Sequence, residues 1–66
     1  MKTFYDVQQL LKRYGTFIYT GNRQADLELM QEEIQELYRN GLLDQSHYTS
    51  ALLLLRQELQ KHSKNH

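Results

Sequence analysis

No cysteine occurs in the 66 residues. That excludes a disulfide framework, a thiolate zinc site and a cysteine nucleophile together. Proline is missing as well, so no residue breaks a helix by removing a backbone donor. Excess charge is lacking too. Eight Lys and Arg balance eight Asp and Glu, which argues against a partner held through bulk charge, whether a generic polyanion or a membrane surface. The longest uninterrupted apolar run, residues 51–55, is five residues, against the ~20 of a membrane-spanning helix. The first six residues carry no apolar stretch of the signal-peptide kind, which predicts a cytoplasmic protein. A chain this short buries only about 60% of its unfolded surface, so one small core is all it can build.

What is present is helical periodicity punctuated by glycine. Gly15, Gly21 and Gly41 divide the chain into segments of helical length, as residues that end helices in the left-handed conformation do. Residues 3–14 form the first segment. Thr3 and Asp6 make a variant capping box, Phe4, Val7, Leu11 and Tyr14 mark one face with Leu10 widening it, and Lys12 and Arg13 sit in the last turn. The second segment begins at Asn22 or Arg23 and ends at Asn40. Asn22 is the expected N-cap, in competition with Thr20, and Leu27, Met30, Ile34, Leu37 and Tyr38 form its stripe. The third starts from Asp44 as N-cap, with a Leu43–Tyr48 staple and a core face of Tyr48, Ala51, Leu52, Leu55 and Leu59. Its end is expected to fray near His62. The fold class predicted is all-α, a three-helix bundle over residues 1–60 with a polar, disordered tail at 61–66.

Residues 15–21, Gly-Thr-Phe-Ile-Tyr-Thr-Gly, prefer extended backbone but are too few to build a sheet. Alternation puts Phe17 and Tyr19 on one side and Ile18 on the other. One side is expected to plug the end of the bundle and the other to meet water or a partner.

The runs Thr3-Phe4-Tyr5-Asp6-Val7-Gln8-Gln9-Leu10-Leu11, Tyr14-Gly15-Thr16-Phe17-Ile18-Tyr19-Thr20-Gly21 and Ala25-Asp26-Leu27-Glu28-Leu29-Met30 closely resemble the YqgQ-like family. Glu36-Leu37-Tyr38 and Ala51-Leu52-Leu53-Leu54-Leu55-Arg56 do so too. The resemblance spans residues 1–59 and leaves out the tail after Gln60. It implies a small cytosolic protein of Gram-positive bacteria with a three-helix fold. It implies no activity, so no catalytic residue is carried over.

Residue chemistry offers little to an enzyme. Asp26, Glu28, Glu32, Glu33 and Glu36 spread around a helix instead of converging, and read as a solvated acidic face. Ser46 and His47 are adjacent and point apart, so with an acid they make no triad. His62 and His66 stand at i,i+4 without a third ligand, which favours a polar tail over a metal site. Thr20-Gly21-Asn22-Arg23 sets a glycine turn at a helix N-terminus but lacks the Lys-Ser or Lys-Thr of a P-loop. Asp26 in the first turn would repel an anion there, and ordinary capping by Asn22 suffices. No cofactor, no small-molecule substrate and no membrane partner is expected.

The sharpest functional reading is single-stranded nucleic acid. Arg13-Tyr14-Gly15-Thr16-Phe17-Ile18-Tyr19 is similar in composition to the aromatic strand of an RNA-recognition motif, whose sheet this chain is too short to build. Rings and cations remain. Tyr5, Phe17 and Tyr19 would stack on bases while Lys12, Arg13, Arg23 and Arg56 meet phosphates. Charge is segregated: residues 1–23 carry four basic and one acidic group, residues 24–44 one basic and six acidic, residues 45–66 three basic and one acidic. The first and third helices are thus expected to share a basic edge, with Arg56 and Lys61 joining Lys12 and Arg13. The bland counterpart makes Tyr14 and Phe17 core. A rival function is a protein-interaction adaptor or homo-oligomer built on Leu29, Leu53 and Leu54, which lie off the core stripes.

Overall fold

A computed structural model describes residues 1–64; His66 of the His62/His66 pair lies outside the described residues. Three helices follow in order, α1 (Phe4–Arg13), α2 (Arg23–Arg39) and α3 (Gln45–Lys64). The all-α three-helix bundle expected from periodicity is what the chain adopts. α3 continues through Lys64, past His62 and into the stretch assigned to the tail.

Each helix starts where the sequence carries a cap. The Asp6 amide donates to Thr3 Oγ1 at 3.3 Å, and the Thr3 amide donates back to Asp6 Oδ2 at 3.0 Å, closing the capping box. Asn22 Oδ1 accepts the Ala25 amide at 2.9 Å, which makes Asn22 the N-cap of α2. Asp44 Oδ1 accepts the His47 amide at 2.8 Å at the start of α3. Each satisfies a first-turn donor that has no partner within the helix.

α1 and α2 end in the same way. The Gly15 amide donates to the Lys12 carbonyl and the Thr16 amide to the Leu11 carbonyl; Gly41 and Leu42 repeat this on Tyr38 and Leu37. This crossed pair of bonds needs positive φ at the residue past the cap, and Gly41 supplies it at +75°. The link between α2 and α3 then turns back on itself. Tyr38 stacks on Tyr48 at one end of the pair, with ring centroids 4.0 Å apart, while Arg23 pairs with Glu58 at the other. The two helices are therefore antiparallel, and they form the broadest interface of the bundle.

The core is Val7 and Leu11 of α1, Leu27, Met30, Ile34 and Leu37 of α2, and Ala51 and Leu55 of α3. Phe4, Leu10, Leu43, Tyr48, Leu52 and Leu59 pack around it. Two tyrosines of the predicted stripes stand further out. Tyr38 stays at the surface, where its ring lies against Tyr48. Tyr14 is also exposed at the end of its stripe, and its hydroxyl donates to the Leu42 carbonyl at 3.3 Å. A phenol at a helix end keeps its oxygen wet while its ring covers apolar neighbours.

Candidate nucleic-acid interface

The 15–21 loop crosses the bundle beside α1 and α2. Ile18 parts from Phe17 and Tyr19 as alternation predicts, and it is Ile18 that packs against the core while Phe17 and Tyr19 turn out. The loop is held by Asp26, a carboxylate only 6% exposed. Its Oδ1 accepts both the Thr20 amide and the Thr20 hydroxyl, each at 2.7 Å. The Asn22 amide in turn donates to Thr20 Oγ1 at 3.3 Å. Thr20 is thus a tie between loop and helix, and the competition for the N-cap resolves in favour of Asn22. An acid in the first turn also suits the helix dipole, which is why Asp26 reads from sequence as a plain end-of-helix charge.

The three predicted stacking rings are all open to water: Tyr5 is 64%, Phe17 77% and Tyr19 78% exposed. The alternative placement of Phe17 in the core does not hold, because Ile18 fills that space. Tyr5, Gln8, Lys12 and Phe17 line one cleft of about 170 Å³ whose floor is Leu11, Ile18 and Met30. A second cleft, about 270 Å³, adjoins it across Gln8 and Phe17 and is lined by Tyr19 and Arg23. Five of the seven predicted residues, Tyr5, Lys12, Phe17, Tyr19 and Arg23, therefore border one continuous surface.

The cations are less uniform than the rings. Lys12 is exposed and has no ion-pair partner among the described residues. Arg23 is committed: its guanidinium lies 4.8 Å from the Phe4 ring centroid and 3.1 Å from Glu58. Together with the Asp26 carboxylate this leaves the second cleft without surplus positive charge. Arg13 lines a separate cleft with Asp6 and His47, reached across Gln9. Arg56 borders none of the three clefts, and Lys61 pairs with Glu58 at 3.2 Å. Arg56 lies two residues from Glu58, about 200° around the helix, so the two leave nearly opposite faces of α3. Of the basic edge expected of Arg56, Lys61, Lys12 and Arg13, Lys61 is taken up by Glu58, and Lys12 and Arg13 line different clefts.

Gln8 and Gln9, which residue type alone does not mark as site residues, also line the first cleft. They complete a stripe, Tyr5, Gln8, Gln9 and Lys12 at i, i+3, i+4 and i+7, that runs beside the apolar face of α1. That spacing was the available signal. Among the described residues no group of three or more His, Cys, Asp or Glu could hold a metal ion. No helix among them is long and apolar enough to cross a membrane.

The three leucines of the rival reading are not gathered into one patch. Leu54 packs against the core. Leu29 and Leu53 are 40% and 56% exposed, but Leu29 lies nine residues from Tyr38, two and a half turns, on the face of α2 opposite the one that meets α3.

Comparison with known proteins adds kinship. The model of the family described as YqgQ-like matches residues 1–61. A Bacillus subtilis (strain 168) protein, described as "Uncharacterized protein YqgQ", is 44% identical over 61 residues, which is 92% of this chain and 86% of that relative.

Proposed function

The chain belongs to the YqgQ-like family, and from that premise, which brings no activity with it, we propose a cytoplasmic, non-enzymatic protein that binds single-stranded nucleic acid weakly and with broad sequence tolerance. The observation that carries this reading is the exposure of three aromatic rings, Tyr5, Phe17 and Tyr19, around one surface that also holds Lys12, which has no ion-pair partner among the described residues. Exposed rings cost free energy in water and regain it by stacking, at ~1–3 kcal/mol per base. An ordered loop presents two of them already in place, because Asp26 and Ile18 hold it from beneath. Less conformational entropy is then lost on binding.

Few phosphates take part. Of the two cations bordering the surface, Lys12 meets no acid among the described residues, and Arg13 stands one helix row away in a separate cleft. Arg23 serves the bundle through Glu58 and Phe4, and Arg56 borders neither of the two adjoining clefts. Affinity is therefore modest and carried more by rings than by charge. Fluorescence anisotropy of labelled single strands at low salt tests this. Binding at micromolar protein is expected, with log K falling against log salt at a slope of about −0.7 to −1.4, the signature of one or two phosphates. Phe17→Ala and Tyr19→Ala should each weaken it, whereas Arg56→Ala should not. An unchanged anisotropy at low salt refutes the proposal.

A further inference from the structure

We propose that the cleft between α1 and the 15–21 loop seats one nucleobase, adenine in preference to the others, and that the Gln8 side-chain amide reads its edge; this rests on the single-strand reading above. Size points to one base. At about 170 Å³ the cleft is below the ~300–1,000 Å³ of cofactor- and drug-sized ligands. Its composition points to a flat heterocycle. Tyr5 comes from α1 and Phe17 from the loop, both exposed, over an apolar floor of Leu11, Ile18 and Met30.

Gln8 supplies the recognition. It is half-buried, lies between the two adjoining clefts, and its amide has no hydrogen-bond partner among the described residues. Water reaches that amide, since no side-chain polar atom among the described residues is buried without a partner, and a base that brings its own donor and acceptor can take the water's place. Adenine sets N6–H beside N7 on one edge and beside N1 on the other, so it matches a glutamine in two bonds either way round; cytosine and thymine offer such a donor–acceptor pair on the Watson–Crick edge alone, and the N7/O6 edge of guanine presents two acceptors that suit a cation instead. Lys12, at i+4 from Gln8, lies where the phosphate of the same nucleotide can reach it.

The test is an amide NMR titration of the full chain with short all-thymidine strands carrying one central adenine, guanine or cytosine, and with their ribose counterparts. The adenine strand should bind about fivefold to tenfold tighter than the all-thymidine one, with shifts centred on Tyr5, Gln8 and Phe17. Gln8→Leu should erase this ranking but keep the residual binding that Tyr19 supports. Gln8→Glu, which keeps the length of the side chain, serves the same comparison should the leucine variant unfold. Strands that bind without a base ranking, or with one that survives both substitutions, overturn the single-base site and leave the broader proposal standing. If no strand moves any resonance, both fall. A ribose series that binds more tightly with the same ranking supports the site and identifies RNA as the better ligand.

Discussion

Replacing Asp26 by alanine separates the loop from the bundle without touching a ring or a core side chain. The carboxylate is 6% exposed and accepts two bonds from Thr20, each 2.7 Å. A hydrogen bond to a charged acceptor contributes ~1.5–3 kcal/mol. Two reductions apply here. Thr20 is itself exposed, so its freed amide and hydroxyl recover water, and the apolar replacement avoids desolvating a carboxylate. The higher helix propensity of alanine roughly offsets the lost charge–dipole attraction. A net destabilisation of about 2 kcal/mol follows, a large share of the ~3–5 kcal/mol that a core this small supplies. Urea unfolding followed by far-UV circular dichroism should report it, and the thermal midpoint should fall by about 8–16 °C. Hydrogen exchange localises the effect: the Thr20 amide should lose protection while amides in the middle of α2 and α3 open only with global unfolding. Asp26→Asn retains one carbonyl oxygen and should cost less. A loss under ~0.5 kcal/mol, or an unchanged Thr20 exchange rate, would refute the claim that this carboxylate positions the loop.

Two further outcomes follow from the helix ends. The Asp6 carboxyl is held below its ordinary value of 3.8 by the Lys2 amide first and the Thr3 amide second, and Asp44 below the same value by the His47 amide and ring. A carboxyl lowered in the folded state gives up protons more readily there than in the unfolded chain, so its contribution is complete above about pH 4 and is lost as pH falls through the lower folded value. Unfolding titrations should show stability dropping on that acid limb, and the Asp6→Asn/Asp44→Asn variant should flatten the drop; an equally steep limb in the variant would assign it elsewhere. Gly41→Ala places a β-carbon at φ +75° where nothing lies within 4 Å, so the cost is backbone strain alone. About 1 kcal/mol and a melting point lower by about 4–8 °C are expected by calorimetry, and an unchanged melt would contradict the left-handed cap.

The helices and their caps were legible in the chain because their causes are local. Thr3 and Asp6, Asn22, Asp44 and the terminating glycines act over three to five residues, and a stripe such as Leu27, Met30, Ile34 and Leu37 follows from the helical period alone. The alternation across Phe17, Ile18 and Tyr19 was equally readable. It predicted which residues part company, although not which side the core would take.

Tertiary packing decided the rest. Five of seven candidate residues met on one surface because the loop folds back over α1, a placement set by Ile18 entering the core and by Asp26 holding Thr20. Gln8 gained its place between two clefts by the same fold. Whether a cation is free depends on partners distant in sequence: Glu58 lies 35 residues from Arg23 and engages it, whereas Lys12 meets no acid among the described residues. Net charge and spacing report how many ions a helix carries. Only the packed bundle pairs them, since ion-pair energy depends on separation in space and on exposure to solvent.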